Sequence, residues 1–195
     1  MTTKDLPLWC AIVYDMQYIG LVSVLFLIIA LVSLEAVWGP AYTKTFSRLV
    51  ARRRSSVIYY FVVFCIFLTG LSLFVIESLI PRLGLPAIFT WIFFLGVAAQ
   101  IVCITVPETK GLKAKVHLTA AAVMSVSCLL QVLMIVFLAQ LSTISLAVSV
   151  VSAMVMLFVW SVVIGKFKVA RYELALQSVY FASYLTVIMT VGYLG

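Results

Sequence analysis

The sequence predicts an all-α fold, a polytopic transmembrane bundle of six helices. Three observations predict it. Of 195 residues, 66 % are hydrophobic and 10 % are charged, against about 45–50 % and about 25 % in soluble chains. Mean hydropathy is +1.27. Apolar runs close to the roughly 20 residues a spanning helix needs recur six times. This composition excludes a water-soluble enzyme, a disordered chain and a disulfide scaffold. Six such helices use roughly 120 residues, so residues 1–195 form a single integral membrane domain with short loops.

The first span is predicted over 18–38, stopped by Gly39-Pro40 because proline cannot continue a helix smoothly. The second covers 57–76, with Pro81, Gly84 and Pro86 making the next turn. The third covers 87–106 and ends at Pro107. The fourth opens at His117 and covers 117–140. Leu141, Ser142 and Thr143 lead into the fifth, 144–164. A basic connection precedes the sixth, 172–194. Backbone groups in hydrocarbon must be satisfied within the segment, so these runs are helices rather than strands. Before the first span, residues 6–14 are apolar but too short to cross. They read as an interfacial segment, with Trp9 and Tyr14 suited to the headgroup level. Lys4 is offset by Asp5 and Asp15, and no small-residue cleavage pattern follows, unlike a secretory signal.

Eleven of the thirteen basic residues follow helices one, three and five; only Lys4 and Arg82 fall on the other side. The positive-inside rule counts Lys and Arg in short loops. It puts those three loops in the cytoplasm and both termini outside. The net charge of +7 is thus a topology signal, and no soluble domain exists to present it to nucleic acid. Lys44, Arg48, Arg52, Arg53 and Arg54 are interleaved with Tyr42, Phe46, Leu49 and Val50. That stretch can lie on an anionic lipid surface, each basic residue contributing about 1 kcal/mol of attraction.

Polar residues on helix faces give the candidate sites. Ser142, Ser145, Ser149, Ser152 and Met156 form one seam on helix five, and Cys65, Thr69 and Ser72 a weaker one on helix two. Small residues let membrane helices approach closely. Helix four aligns His117, Met124, Cys128 and Gln131; helix six aligns Glu173, Gln177, Tyr180 and Tyr184. A primary amide facing lipid lacks partners, so Gln131, Gln177, Tyr180 and Tyr184 are the candidate lining of a polar pocket. Glu35, His117, Arg171 and Glu173 fall near the cytoplasmic ends of helices one, four and six, a candidate charged cluster. No carboxylate is predicted at mid-membrane, which argues against a proton pump or an ion-coupled carrier.

Cys10, Cys65, Cys103 and Cys128 are scattered, with no Cys-x-x-Cys, and His117 is the sole histidine. That pattern offers no zinc or bis-histidine haem set, so no metal or cofactor is expected. A lone imidazole near carboxylates also falls short of the nucleophile–base pair or metal set a hydrolase needs.

The stretch from Pro107 and Glu108 to His117, followed by small residues, resembles the six-helix DRAM/Sfk-like group, especially its bacterial relatives of unknown function. Arg171-Tyr172-Glu173 is similar to the charged pair that group places at the start of helix six. In Ser47-Arg48-Leu49 an arginine stands where the group has a glutamate, so that position is not carried over. The resemblance implies a lipid-associated membrane protein, some members being tied to membrane lipid organisation or lipid-anchor remodelling. The leading expectation is a lipid-handling membrane protein without catalysis. The alternatives are a small transporter or channel subunit built as a homo-oligomer around the glutamines, and an assembly subunit whose serine seams bind a partner membrane subunit.

Overall fold

The computed structural model describes residues 8–38, 45–51, 53–106, 111–164 and 173–194; the side chains of 8–16, 48 and 49 fall outside that description. The described elements are helices: α1 (Leu8–Trp38), α2 (Phe46–Val50), α3 (Arg54–Phe74), a π-turn (Val75–Leu79), α4 (Ile80–Leu83), α5 (Ala87–Thr105), α6 (Leu112–Leu138), α7 (Thr143–Ile164) and α8 (Glu173–Leu194). Six stretches are long and apolar enough to cross a membrane, the second being the unbroken Arg54–Leu83. Only 28 to 39 % of each span's apolar window is buried inside the chain. The outward faces are apolar as well, with Val22, Ile29, Trp91, Phe137 and Phe158 all more than 60 % exposed. A helix that is hydrophobic all round belongs in lipid. The protein is a multi-pass integral membrane protein.

Helices adjacent in sequence pair most closely: α1 with α3, α5 with α6, and α7 with α8. The three hairpins close around a core of fully buried side chains that includes Phe74, Phe89, Val132, Ile135, Met156 and Ile188.

The helix ends depart from the expected boundaries for local reasons. The second span continues helical to Leu83 instead of stopping at residue 76. Pro81 has no N–H to return to the carbonyl four residues back. The π-turn just before it widens the helix, and the chain stops only at Gly84, whose φ of 60° is left-handed. Glycine reaches that conformation without a Cβ penalty. Pro86 then starts α5 from an extended backbone. The fourth span opens at Leu112, not at His117, because Gly111 with φ 68° breaks the chain there. The added turn carries exposed Lys113 and Lys115 and lies beyond the apolar run that set the expectation. Residues 8–14 are likewise continuous with α1 rather than a separate interfacial segment.

Polar side chains fasten several of these ends. Ser56 donates to the carbonyls of Val50 and Arg53, 2.8 Å each, tying α2 to the start of α3. Ser142 caps α7: its Oγ accepts from the Ser145 backbone N–H at 3.3 Å, the usual serine role before a first turn.

Candidate functional site

Two adjoining cavities lie among the helices. The inner one, about 90 Å³, is bounded by α1, α3, α5, α6 and α8. Its walls are largely aromatic and aliphatic, among them Phe64, Phe67, Phe93 and Leu71. Into these walls are set three primary amides, Gln100, Gln131 and Gln177, and the phenols Tyr60 and Tyr184. Among the described residues no charged side chain lines the chamber. Gln131 is 1 % exposed, and its Oε1 accepts a 2.7 Å hydrogen bond from the Tyr184 hydroxyl. That bond crosses from α6 to α8. With its oxygen so engaged, Gln131 presents its Nε2 hydrogens as donors. Gln177 is the complement: its Oε1 is buried and without a hydrogen-bond partner. A buried acceptor left unsatisfied costs about 1–3 kcal/mol, so a native chain keeps one for a reason.

The second cavity, about 490 Å³, lies between α6, α7 and α8 at the end where the basic loops attach. Its walls are mainly apolar, with Ala121, Ala122, Val159, Trp160 and Leu176 prominent. His117, Glu173 and Thr45 are among its polar lining residues. Leu118, Val163 and Ile164, which also line it, are 56 %, 57 % and 62 % exposed. This vestibule therefore opens on the outer surface of the bundle, close to the loop-bearing end. Met124, Gln177 and Phe181 line both cavities, so the two share a wall that includes the unpartnered amide.

The structure brings some of the sequence-derived candidates together and separates others. Gln131, Gln177 and Tyr184 share the inner chamber, whereas Tyr180 lines the vestibule and donates to the Ser125 carbonyl at 2.5 Å. His117 and Glu173 share the vestibule. Glu35 is half-buried on α1 and lines neither cavity. The His117 ring meets a backbone group: its Nδ1 lies 2.7 Å from the Val106 carbonyl. That contact ties α6 to the end of α5, and the Cys103 thiol reinforces it by facing the His117 carbonyl at 3.8 Å. Of the basic stretch, Arg53 and Arg54 are exposed at the start of α3. Lys44, Arg52, Arg171 and the Arg48 side chain lie outside the described residues.

Gln100, 8 % exposed on α5, completes the amide set and was missed in the sequence. The signal was present, since it is the single amide in its apolar run, and the reasoning applied to Gln131 and Gln177 covers it equally. Tyr60 carried no such signal, because tyrosine is common at helix ends. The chamber has directional donors and acceptors in an apolar shell, the usual composition of a small-molecule site. Among the described residues no three His, Cys, Asp or Glu gather where they could hold a metal ion. No family model, curated protein or solved structure matches the chain.

Proposed function

We propose that the protein handles a membrane lipid, taking one molecule from the bilayer through the vestibule into the space between its helices. The observation that carries this reading is the pair of adjoining cavities, mainly apolar in lining, the outer one reaching the bundle surface. A water-filled conduit needs a polar wall, which these apolar linings do not supply. The serine seam also weighs against an assembly role through that face. Ser145, Ser149, Ser152 and Met156 are buried by this chain's own helices, chiefly through the α7–α8 pairing. The resemblance of residues 107–117 to the DRAM/Sfk-like group supports the same reading, since it implies a lipid-associated membrane protein. The basic loops face the cytoplasm in this reading, where Arg53, Arg54 and their neighbours would rest on anionic lipid.

Native mass spectrometry from mild detergent tests the reading. The expected result is a chain that retains one lipid adduct. A lipid-free homo-oligomer would favour a transporter or channel instead. A bound foreign subunit would favour an assembly role.

A further inference from the structure

We infer that the inner chamber selects an uncharged lipid alcohol, a lipid whose polar end is a hydroxyl rather than a phosphate. The inference rests on the lipid-handling reading and narrows it to a ligand class. Three features of the chamber lead to it.

The first is charge. Among the described residues no Lys, Arg, His, Asp or Glu lines the chamber. A phosphate brought there would lose its hydration with no counter-charge, and an isolated buried ion is strongly disfavoured. Among the described residues the basic side chains Arg53, Arg54, Arg82, Lys113 and Lys115 are all exposed and none lines the chamber. The second feature is hydrogen-bond polarity. Gln131 offers donors, its oxygen being held by Tyr184. Gln177 offers an acceptor that no described residue satisfies. A ligand matching both must accept and donate, and a single hydroxyl can do both. A ketone or ester carbonyl would only accept, leaving the Gln177 oxygen bare. The third is size. At about 90 Å³, the chamber has room for a compact polar end of a few heavy atoms. The aliphatic remainder lies in the vestibule, whose volume is about 490 Å³, and leaves between α6 and α7 at the exposed rim.

The test uses the purified full chain in phosphatidylcholine nanodiscs with two photoactivatable probes. One is a diazirine-bearing diacylglycerol, which ends in a free hydroxyl. The other is the phosphatidic acid with the same two chains. Crosslinked peptides are mapped by mass spectrometry. The expected result is labelling by diacylglycerol of peptides from α3, α6 and α8 that face the chamber, with phosphatidic acid labelling them at least several-fold less. Gln177→Leu is the decisive variant. Its oxygen makes no bond within the chain, so the variant should fold as the parent does, checked by thermal unfolding. Losing one hydrogen bond should lower diacylglycerol labelling roughly three- to tenfold. Phosphatidic acid labelling the chamber as well as diacylglycerol does would overturn the alcohol assignment and leave lipid handling standing. Failure of both probes to label either cavity would remove both readings. Unchanged labelling in Gln177→Leu would show that the unpartnered amide does not meet the ligand, and that too ends the proposal.

Discussion

The Phe74 ring is fully buried where α1, α3 and α8 meet, with Gly20 on one side and Gly192 on the other. A Cβ built at Gly20 would lie 2.6 Å from Phe74 Cγ, and one at Gly192 would lie 2.4 Å from its Cζ. The ring has nowhere to turn, so either alanine forces the helices apart. Gly20→Ala and Gly192→Ala should each destabilise the protein by about 1–3 kcal/mol, the usual cost of overpacking. Gly70→Ala is the contrast. Its new methyl meets mainly the Ser23 hydroxyl, at 1.9 Å, which can rotate away by giving up its bond to the Ile19 carbonyl. It should cost clearly less. Unfolding in detergent measures all three, and equal losses for Gly192→Ala and Gly70→Ala would refute the clamp. None of this was legible in the sequence, because glycine positions on one helix do not say which ring on another helix they admit. Gln131 and Gln177 were legible, since an amide in hydrocarbon must find partners wherever the helix turns. Their split into a satisfied donor and a bare acceptor was not, because it depends on where Tyr184 falls across the α6–α8 contact.

At the scale of elements, the serine seam of α7 shows periodicity translating directly into packing. Ser145, Ser149, Ser152 and Met156 face inward against this chain, whereas Ser142 is exposed and caps the helix start; Ile144, Val151, Met154 and Phe158 on the opposite side are 60 % or more exposed. Ser149 is fully buried, and its Oγ has no hydrogen-bond partner. Its contribution is therefore small volume rather than bonding. Ser149→Ala should leave stability unchanged or raise it by up to about 1 kcal/mol, since it removes an unsatisfied hydroxyl. Ser149→Leu should lower stability by about 1–3 kcal/mol or more by wedging the helix contacts. Denaturation in detergent checks the pair, and a destabilised Ser149→Ala would mean that the hydroxyl bonds across the interface after all. Six spans in the right order were legible because each is set by a run of apolar residues. Their ends were less so. Hydrophobicity marks where hydrocarbon begins, whereas the helix stops where a backbone special intervenes, at Gly84 and Gly111, several residues into the polar zone.

Across the whole molecule, the two ends of the bundle are built differently. At the end away from the basic loops, the Gly192 carbonyl accepts from Arg82 Nη1 at 2.6 Å and from Gln17 Nε2 at 3.4 Å. The Tyr193 hydroxyl donates to the Gln17 carbonyl. These bonds fasten α1, α4 and α8 together. The other end holds the vestibule, at the side where α1, α5 and α7 end; eleven of the thirteen basic residues follow those three helices in the sequence. If the charge asymmetry orients the chain, the fastened end faces outward and the vestibule opens toward the cytoplasmic leaflet. Single cysteines placed in a chain stripped of Cys10, Cys65, Cys103 and Cys128 test this with a membrane-impermeant maleimide on intact cells. Ser55 is exposed at the start of α3, beside Arg53 and Arg54; a cysteine there should be protected until the cells are permeabilised. Thr143 is exposed at the start of α7, in the turn on the opposite side; a cysteine there should react at once. A Thr2→Cys variant should react with it, since both termini share that side in a chain of six spans. The opposite pattern at all three positions would invert the molecule and aim the vestibule at the outer leaflet. The cavity argument would stand unchanged, because it depends on which residues meet between the helices rather than on which leaflet they meet in.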